Sequence, residues 1–329
     1  MIFIYSSVWK TIDFFSLICY SIFQMSKTII LVHGRSWKPK KSDLESIWTE
    51  ALRSGIARDF PNKLTAFDKV NLSFVYYGDL SNQLLKSKGG TQPPSSTAAR
   101  KKALEQLKQI PANGFTKSAY RKIPGKESFK EGVADALAPV LGFFHLTDNL
   151  VEKVAPDMRD YWNDDSEFGS TCRSRMTPHL KDAFDRNDSI CVISHSLGTM
   201  ISYDSLWKFS RSFDYPEYHS KKIDLFITTG SPLGDETVKR KLKGAKAKKE
   251  RRYPKSIKNW LNVAAEDDYI SHDQKIAGDF RNMKKYGLVK TLVDKRVYNL
   301  SYPNGKSNPH HSSGYLIHPN VSKAVSAWL

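Results

Sequence analysis

The chain has 329 residues, 40% hydrophobic and 12% aromatic, which is enough apolar material for a sizeable core and excludes a chain disordered throughout. Length alone fits one large α/β domain or two small ones. Its three cysteines, Cys19, Cys172 and Cys191, are odd in number and widely spaced. That argues against a disulfide framework and predicts a reducing compartment, here the cytoplasm. No cysteine or histidine cluster has the spacing of zinc ligands, so no metal site is expected.

The net charge is +17, from 51 Lys and Arg against 34 Asp and Glu. The segment Lys239–Lys258 alone holds eleven basic residues and one acid. Such a segment attracts polyanions. It is either a solvated charged surface or a surface that steers an anionic substrate or an anionic membrane surface toward Ser196. Nucleic acid is disfavoured, because the segment matches no base-reading motif.

The N-terminal 24 residues are apolar, but Lys10 and Asp13 interrupt them. The uncharged run that follows, Phe14–Ser26, is shorter than the roughly 20 residues that span a bilayer. We expect residues 1–25 to lie outside the fold, with Met25 as an alternative start of the chain and residues 26–329 as the domain. An interfacial membrane anchor formed by residues 1–24 is the alternative.

Apolar runs of strand length recur along the domain, with helical patterns between them. The predicted strands are Thr28–Gly34, Val70–Asp79, Ser189–Ser194, Ile223–Gly230, Trp260–Ala265 and Lys295–Tyr302. The predicted helices are Lys41–Ala57, Leu180–Arg186, Met200–Phe209 and Asn320–Leu329. Alternating strands and helices predict an α/β fold with a mostly parallel sheet covered on both faces.

One interval, from residue 81 to about 178, contains no convincing central strand. We expect Lys88–Lys102 to be a loop and Glu131–Asp164 to be helical, with breaks at Pro139 and Pro156. An insertion of this size predicts a largely helical cap over the carboxyl edge of the sheet, where ligands bind in open α/β sheets.

The stretch Ser194-His195-Ser196-Leu197-Gly198 joins an apolar strand to a helical pattern. It resembles G-x-S-x-G, the nucleophile elbow, with serine in place of the first glycine. At such a turn the backbone is strained and the central hydroxyl stands clear of both elements. Ser196 is therefore the candidate nucleophile, and an ordinary serine-rich turn is the alternative.

A serine nucleophile needs a base and an orienting acid, which follow it in this chain order as acid and then histidine. Acids follow the fifth strand: Asp268 is favoured, Asp267 is close behind and Asp273 is more distant. Histidines follow the last strand: His310 is favoured, with His311 nearly equal. His318, next to a helix start, and His272, before the last strand, are weaker candidates for the base.

The expected oxyanion hole uses the backbone N–H of Leu197 and a second donor from the loop after the first strand. Gly34 lets that loop approach the reacting carbonyl, and Arg35 or Ser36 supplies the N–H. His33 is interpreted as a residue that orients the loop rather than as the base.

Together the segments ILVHGR, VISHSLGTMISYD, TTGSPLG, WLNVAAEDDYISHD and NPHHSSGYLIHPNV resemble the successive active-site segments of the α/β-hydrolase superfamily of serine hydrolases, and lipase- and esterase-like members in particular. They span Thr28–Leu329. The resemblance implies hydrolysis of a small-molecule or lipid ester through an acyl-enzyme, without metal or cofactor. The alternative function is a catalytically inactive protein of this fold that binds anionic lipid, nucleic acid or an acidic partner through its basic surface.

Overall fold

A computed structural model describes residues 25–91, 96–125, 156–163, 165–271 and 275–329. Its strands are β1 (Lys27–Val32), β2 (Asn71–Val75), β3 (Ser189–His195), β4 (Ile223–Thr229), β5 (Ile257–Ala265) and β6 (Thr291–Val297). They form one sheet in the order β2-β1-β3-β4-β5-β6, and every neighbouring pair is parallel. The predicted α/β fold with a parallel sheet is confirmed.

Helices connect the strands. In chain order they are α1 (Lys41–Asp59), α2 (Leu64–Phe67), α3 (Gly78–Ser87), α4 (Ser96–Lys108), α5 (Lys117–Arg121), α6 (Pro156–Trp162), α7 (Glu167–Asp185), α8 (Leu197–Arg211), α9 (Glu236–Lys241), α10 (Ile276–Asp279), α11 (Arg281–Lys285), α12 (Ser312–Leu316) and α13 (Pro319–Trp328). Short 3₁₀ turns lie between several of them.

The sheet is buried on both faces, as the continuous apolar strands predict. In β1, Ile30 and Val32 belong to a core that includes residues of α7 and α8. Ile29 and Leu31 point to the opposite core, which includes residues of α1, α4, α12 and α13. Because successive strand residues alternate between faces, a strand with both faces covered must be apolar throughout.

The last strand is shifted from its predicted position. The prediction was Lys295–Tyr302, whereas β6 is Thr291–Val297. At the edge of the sheet, β6 exposes Thr291, Val293, Lys295 and Arg296, so its sequence lacks an apolar run. The segment after it is buried as a loop, with Asn299, Leu300 and Ser301 at most 2% exposed. That burial accounts for the apolar residues that suggested a strand.

The described part of the interval 81–178 contains only helices and turns. The predicted loop Lys88–Lys102 is wrong over its second half, because α4 begins at Ser96 and is anchored by the buried Leu104 and Leu107. The predicted cap boundary at residue 178 falls inside α7, which packs in the core on both sides of Pro178. Of the predicted helix Glu131–Asp164, residues 131–155 and 164 lie outside the described residues. The break expected at Pro139 also lies there, as does the chain directly before Pro156, the first described residue of α6.

The carboxyl ends of the parallel strands share one edge of the sheet, so the loops after β1, β3, β4, β5 and β6 converge there. The predictions for residues 1–24 lie outside the described residues. Across the described ranges, no helix has both the length and the apolar character required to cross a membrane.

Candidate active site

Ser196 lies between the last residue of β3 and the first residue of α8. Its backbone has φ 55° and ψ −128°, a conformation that costs a residue other than glycine about 1–3 kcal/mol and recurs at functional sites. The turn is held by surrounding hydrogen bonds. The Ser196 amide donates to the Thr229 carbonyl at 3.0 Å, and the Ser196 carbonyl accepts from the amide and hydroxyl of Thr199 at 2.9 and 2.7 Å.

The neighbours of Ser196 are small because the backbones approach closely. A Cβ on Gly198 would lie 2.3 Å from the carbonyl oxygen of His33, and a Cβ on Gly34 would lie 2.7 Å from the Cβ of Ser196. Serine at position 194 is accommodated because its hydroxyl has a buried partner, the hydroxyl of Ser202 at 2.6 Å. The departure from G-x-S-x-G therefore leaves the turn intact.

Three side chains from three loops form one hydrogen-bonded chain. The Oγ of Ser196 lies 2.9 Å from Nε2 of His310. On the other side of the ring, Nδ1 of His310 lies 3.0 and 2.9 Å from the two carboxylate oxygens of Asp268. If Nδ1 carries the proton and donates it to Asp268, Nε2 is free to accept the serine proton. The chain thus connects a hydroxyl to a base and the base to a carboxylate.

The Asp268 carboxylate is fully buried. Burial by itself would raise its pKa, but the charge of His310 and hydrogen bonds from His310, Tyr315 and the Ile270 amide reverse the shift, so the pKa lies below its usual value. The carboxylate therefore stays ionised at neutral pH, and it can stabilise a positive imidazolium beside it.

The alternatives that the sequence left open lie elsewhere. Asp267 has φ 58° and accepts a hydrogen bond from the Tyr120 hydroxyl at 3.0 Å, away from His310. Nδ1 of His311 pairs with the Ser301 hydroxyl at 2.9 Å. His318 caps α13, where its Nδ1 accepts the Asn320 amide. The remaining candidates, Asp273 and His272, lie outside the described residues.

Three residues that hold His310 and Asp268 in position were missed by the sequence reasoning. Nε2 of His195 donates to the His310 carbonyl at 2.8 Å, and its ring packs on the His310 ring with centroids 4.6 Å apart. The Asn299 amide donates to the carbonyls of Pro309 and His311, both at 2.9 Å, and so brackets His310. The Tyr315 hydroxyl donates to Asp268 and accepts the Ala265 amide. No local pattern indicates these roles, because each partner is distant in sequence.

The loop after β1 is held in place beside Ser196 by hydrogen bonds of the His33 ring. Nδ1 of His33 donates to the Gly34 carbonyl at 2.8 Å, and its Nε2 accepts the Tyr77 amide at 3.1 Å. Burial is the main cause that holds the pKa of His33 well below its ordinary value, and the charge of Lys38 adds to it. A neutral His33 with both ring nitrogens bonded fits the predicted orienting role.

A cavity of about 170 Å³ opens beside Ser196. His310 lines it together with Gly34, Arg35 and Ser36, three of the four residues predicted for the oxyanion hole. The fourth, Leu197, is fully buried and starts α8 directly after Ser196. A reacting carbonyl placed in this cavity would therefore meet the serine, the histidine and the loop after β1 at once.

The basic segment Lys239–Lys258 is folded onto α8. Nε1 of Trp207 donates to the Arg251 carbonyl at 2.9 Å, and Nε of Arg211 donates to the Tyr253 carbonyl at 3.1 Å. Trp207 comes eleven residues after Ser196 on α8, about 16 Å along a helix that rises 1.5 Å per residue. Only the start of the segment therefore lies near the carboxyl edge of the sheet, and its second half extends away from Ser196.

Among the residues that the structure describes, no group of three or more His, Cys, Asp or Glu side chains could hold a metal ion. Comparison of the chain with protein-family models, with curated proteins and with solved structures finds no significant match.

Proposed function

We propose that this protein is a serine hydrolase of the α/β-hydrolase type, lipase- or esterase-like, which cleaves carboxylic esters through an acyl-enzyme on Ser196. The observation that carries the proposal is the hydrogen-bonded chain from Ser196 Oγ through His310 to Asp268. It begins at a serine with a strained backbone, which is the arrangement that activates a hydroxyl for attack.

In the proposed reaction, Ser196 Oγ bonds to the ester carbonyl carbon while its proton passes to Nε2 of His310. The N–H groups of Leu197 and Arg35 stabilise the negative oxygen of the tetrahedral intermediate, and Asp268 stabilises the imidazolium. The intermediate then collapses: the bond to the alkoxide breaks, the alkoxide takes the proton from His310, and the acyl group stays on Ser196. Water repeats the two steps and releases the acid. No cofactor is required.

The test is labelling of the full chain with a fluorophosphonate, which reacts only with an activated serine. We expect the parent to be labelled and Ser196→Ala not to be. Ser194→Gly, which restores the usual small residue and keeps Ser196, is the matched control and should label like the parent. Absence of label on a folded parent, with esters also left intact, would reject the proposal.

A cytoplasmic location is part of the proposal, and it rests on cysteine usage. The chain has three cysteines, an odd number, widely spaced in the sequence, and Cys191 is a free thiol buried in the core, whereas secreted proteins of the oxidising compartments tend to pair their cysteines.

A second proposal concerns the basic segment Lys239–Lys258, which we infer contacts an anionic membrane surface. Exposed basic side chains cluster in its middle part, among them Lys246, Lys248 and Arg251. Co-sedimentation with vesicles, with and without anionic lipid, tests this inference. Binding to anionic vesicles by a protein that takes no fluorophosphonate label would favour the catalytically inactive alternative.

A further inference from the structure

The cavity beside Ser196 has a positively charged lining. Three of its lining residues are cationic, Arg35, Lys38 and Arg100, and none of its described lining residues is Asp or Glu. A cavity for a neutral acyl chain has no need of charged walls, since such pockets are mostly apolar with a few placed polar groups. The cations therefore indicate a ligand that carries negative charge.

Arg100 is the most informative of the three. It lies in the first half of α4, a helix fixed in place by the buried side chains of Ala103, Leu104 and Leu107. The Nε of Arg100 is buried and has no hydrogen-bond partner among the described residues, and burial lowers the pKa of the guanidinium. A buried donor without an acceptor destabilises the folded protein, and more so when it is charged. An oxygen of a bound ligand would remove that destabilisation.

Lys38 adds to the positive potential at the same place. Its ammonium is buried and donates to the carbonyls of Arg35 and Ser36, and its backbone is fixed by two hydrogen bonds to the Asn82 amide, each 2.8 Å long. Besides burial, which is the main cause, the charges of Lys38 and Arg100 both lower the pKa values of His33 and His311, which also line the cavity. The cationic field therefore reaches the walls around Ser196.

We propose that this cavity binds a compact anionic group, a carboxylate or a phosphate, carried by the ester substrate close to its scissile carbonyl, and that Arg100 is the residue that pairs with it. The inference rests on the proposed hydrolase function and specifies its substrate class. Guanidinium and oxyanion match in shape as well as in charge. The cavity of about 170 Å³ has room for a short acyl group with a terminal anion.

The experiment compares two ethyl esters of the same shape, monoethyl succinate and ethyl 4-methylpentanoate. They differ only at one end, where the first has a carboxylate and the second has an isopropyl group. For the parent we expect a higher kcat/KM on the anionic ester. Arg100→Gln should lower the ratio of anionic to neutral kcat/KM about tenfold or more, which is about 1.4 kcal/mol or more, because it removes the charge-assisted pairing between guanidinium and oxyanion. Ethyl 3-phosphonopropionate separates the two anions: the better substrate identifies the group.

Lys102→Gln is the matched control, since it removes the same charge from an exposed position of the same helix, and it should leave the ratio unchanged. Arg100→Lys, which keeps the charge without the planar fork, should give an intermediate ratio and serves if Arg100→Gln does not fold. A parent that hydrolyses the neutral ester as well as the anionic one, with a ratio insensitive to Arg100, overturns this inference and leaves the hydrolase proposal standing.

If no ester is hydrolysed and Ser196 takes no label, the hydrolase proposal fails. The proposed anion site is then tested by ligand binding alone. Calorimetric titration of the full chain with succinate would then support the site if binding is lost in Arg100→Gln and kept in Lys102→Gln. Absence of binding to the parent would overturn it.

Discussion

The surroundings of Ser196 and the basic segment Lys239–Lys258 are both rich in polar groups, yet they are built in opposite ways. Around Ser196 the polar side chains are buried or half-buried, and the Ser196, His310 and Asp268 side chains bond to one another. In the basic segment most charged side chains face solvent. Lys239 is an exception, because it pairs with Glu236 at 2.7 Å and with Asp279 at 2.9 Å.

Buried hydrogen-bonded groups and exposed charges contribute to stability and function in different ways. A buried hydrogen-bonded group acts through position, so removing one partner leaves the other unsatisfied, at a cost of about 1–3 kcal/mol. An exposed charge acts through a field that salt screens, and a single pair of such charges contributes about 0–1 kcal/mol. Substitutions at the site should therefore have large, specific effects, and those in the basic segment small, cumulative ones.

The largest expected effect is at two adjacent histidines. His310→Gln should lower kcat for ester hydrolysis about 10⁴-fold or more, because the serine loses its base. His311→Gln, with the same change one residue further on, should cost less than about tenfold, because His311 bonds to Ser301 instead. Steady-state kinetics on ethyl 4-methylpentanoate measure both. Equal losses of kcat in the two variants would contradict the assignment of His310, and not His311, as the base.

An intermediate effect concerns the buried histidines and pH. Burial, followed by the charge of Arg58, lowers the pKa of His318 to about 3, whereas an unfolded histidine titrates at about 6.5. Between these values the unfolded state binds the proton and the folded state does not, so stability falls as pH drops below about 6.5, by up to about 1.4 kcal/mol per pH unit for each such histidine.

His318→Asn should reduce this dependence, because asparagine can cap the helix in place of the imidazole and carries no titrating group. Urea unfolding at several values between pH 7 and pH 5 measures the free energy of unfolding, in a range where few carboxyl groups titrate. An identical pH dependence in the parent and the variant would contradict the assignment of His318 as a buried neutral residue.

The smallest expected effect is in the basic segment. The triple variant Lys246→Gln, Lys248→Gln and Arg251→Gln should leave kcat/KM on a neutral ester close to that of the parent. The free energy of unfolding should change by no more than about 0.5 kcal/mol per exposed position. A large fall in turnover of the neutral ester would show that the segment acts on the site directly. It would contradict the expectation that substitutions in the basic segment have only small effects.

The sequence alone was sufficient to place the central strands and the Ser196 turn. The buried strands β1, β3 and β4 are continuous apolar runs, a pattern that local periodicity makes visible, and the small residues around Ser196 signal a tight turn. The edge strand β6 was displaced in the prediction, because a strand exposed on its outer side lacks that pattern. The first turns of α4 were missed because their composition resembles a loop and their burial comes later in the helix.

What the tertiary structure decided was which of two adjacent candidates faces the others. Asp267 and Asp268, like His310 and His311, are chemically equivalent in the sequence, and neighbouring side chains on an extended or turning backbone point in different directions. Packing by Tyr315, Asn299 and His195 turns Asp268 toward His310 and His310 toward Ser196. Arg100 reaches the same cavity only through the packing of α4. Local chemistry is thus encoded in local residues, whereas the meeting of groups 42 and 114 residues apart depends on the packing of the whole sheet edge.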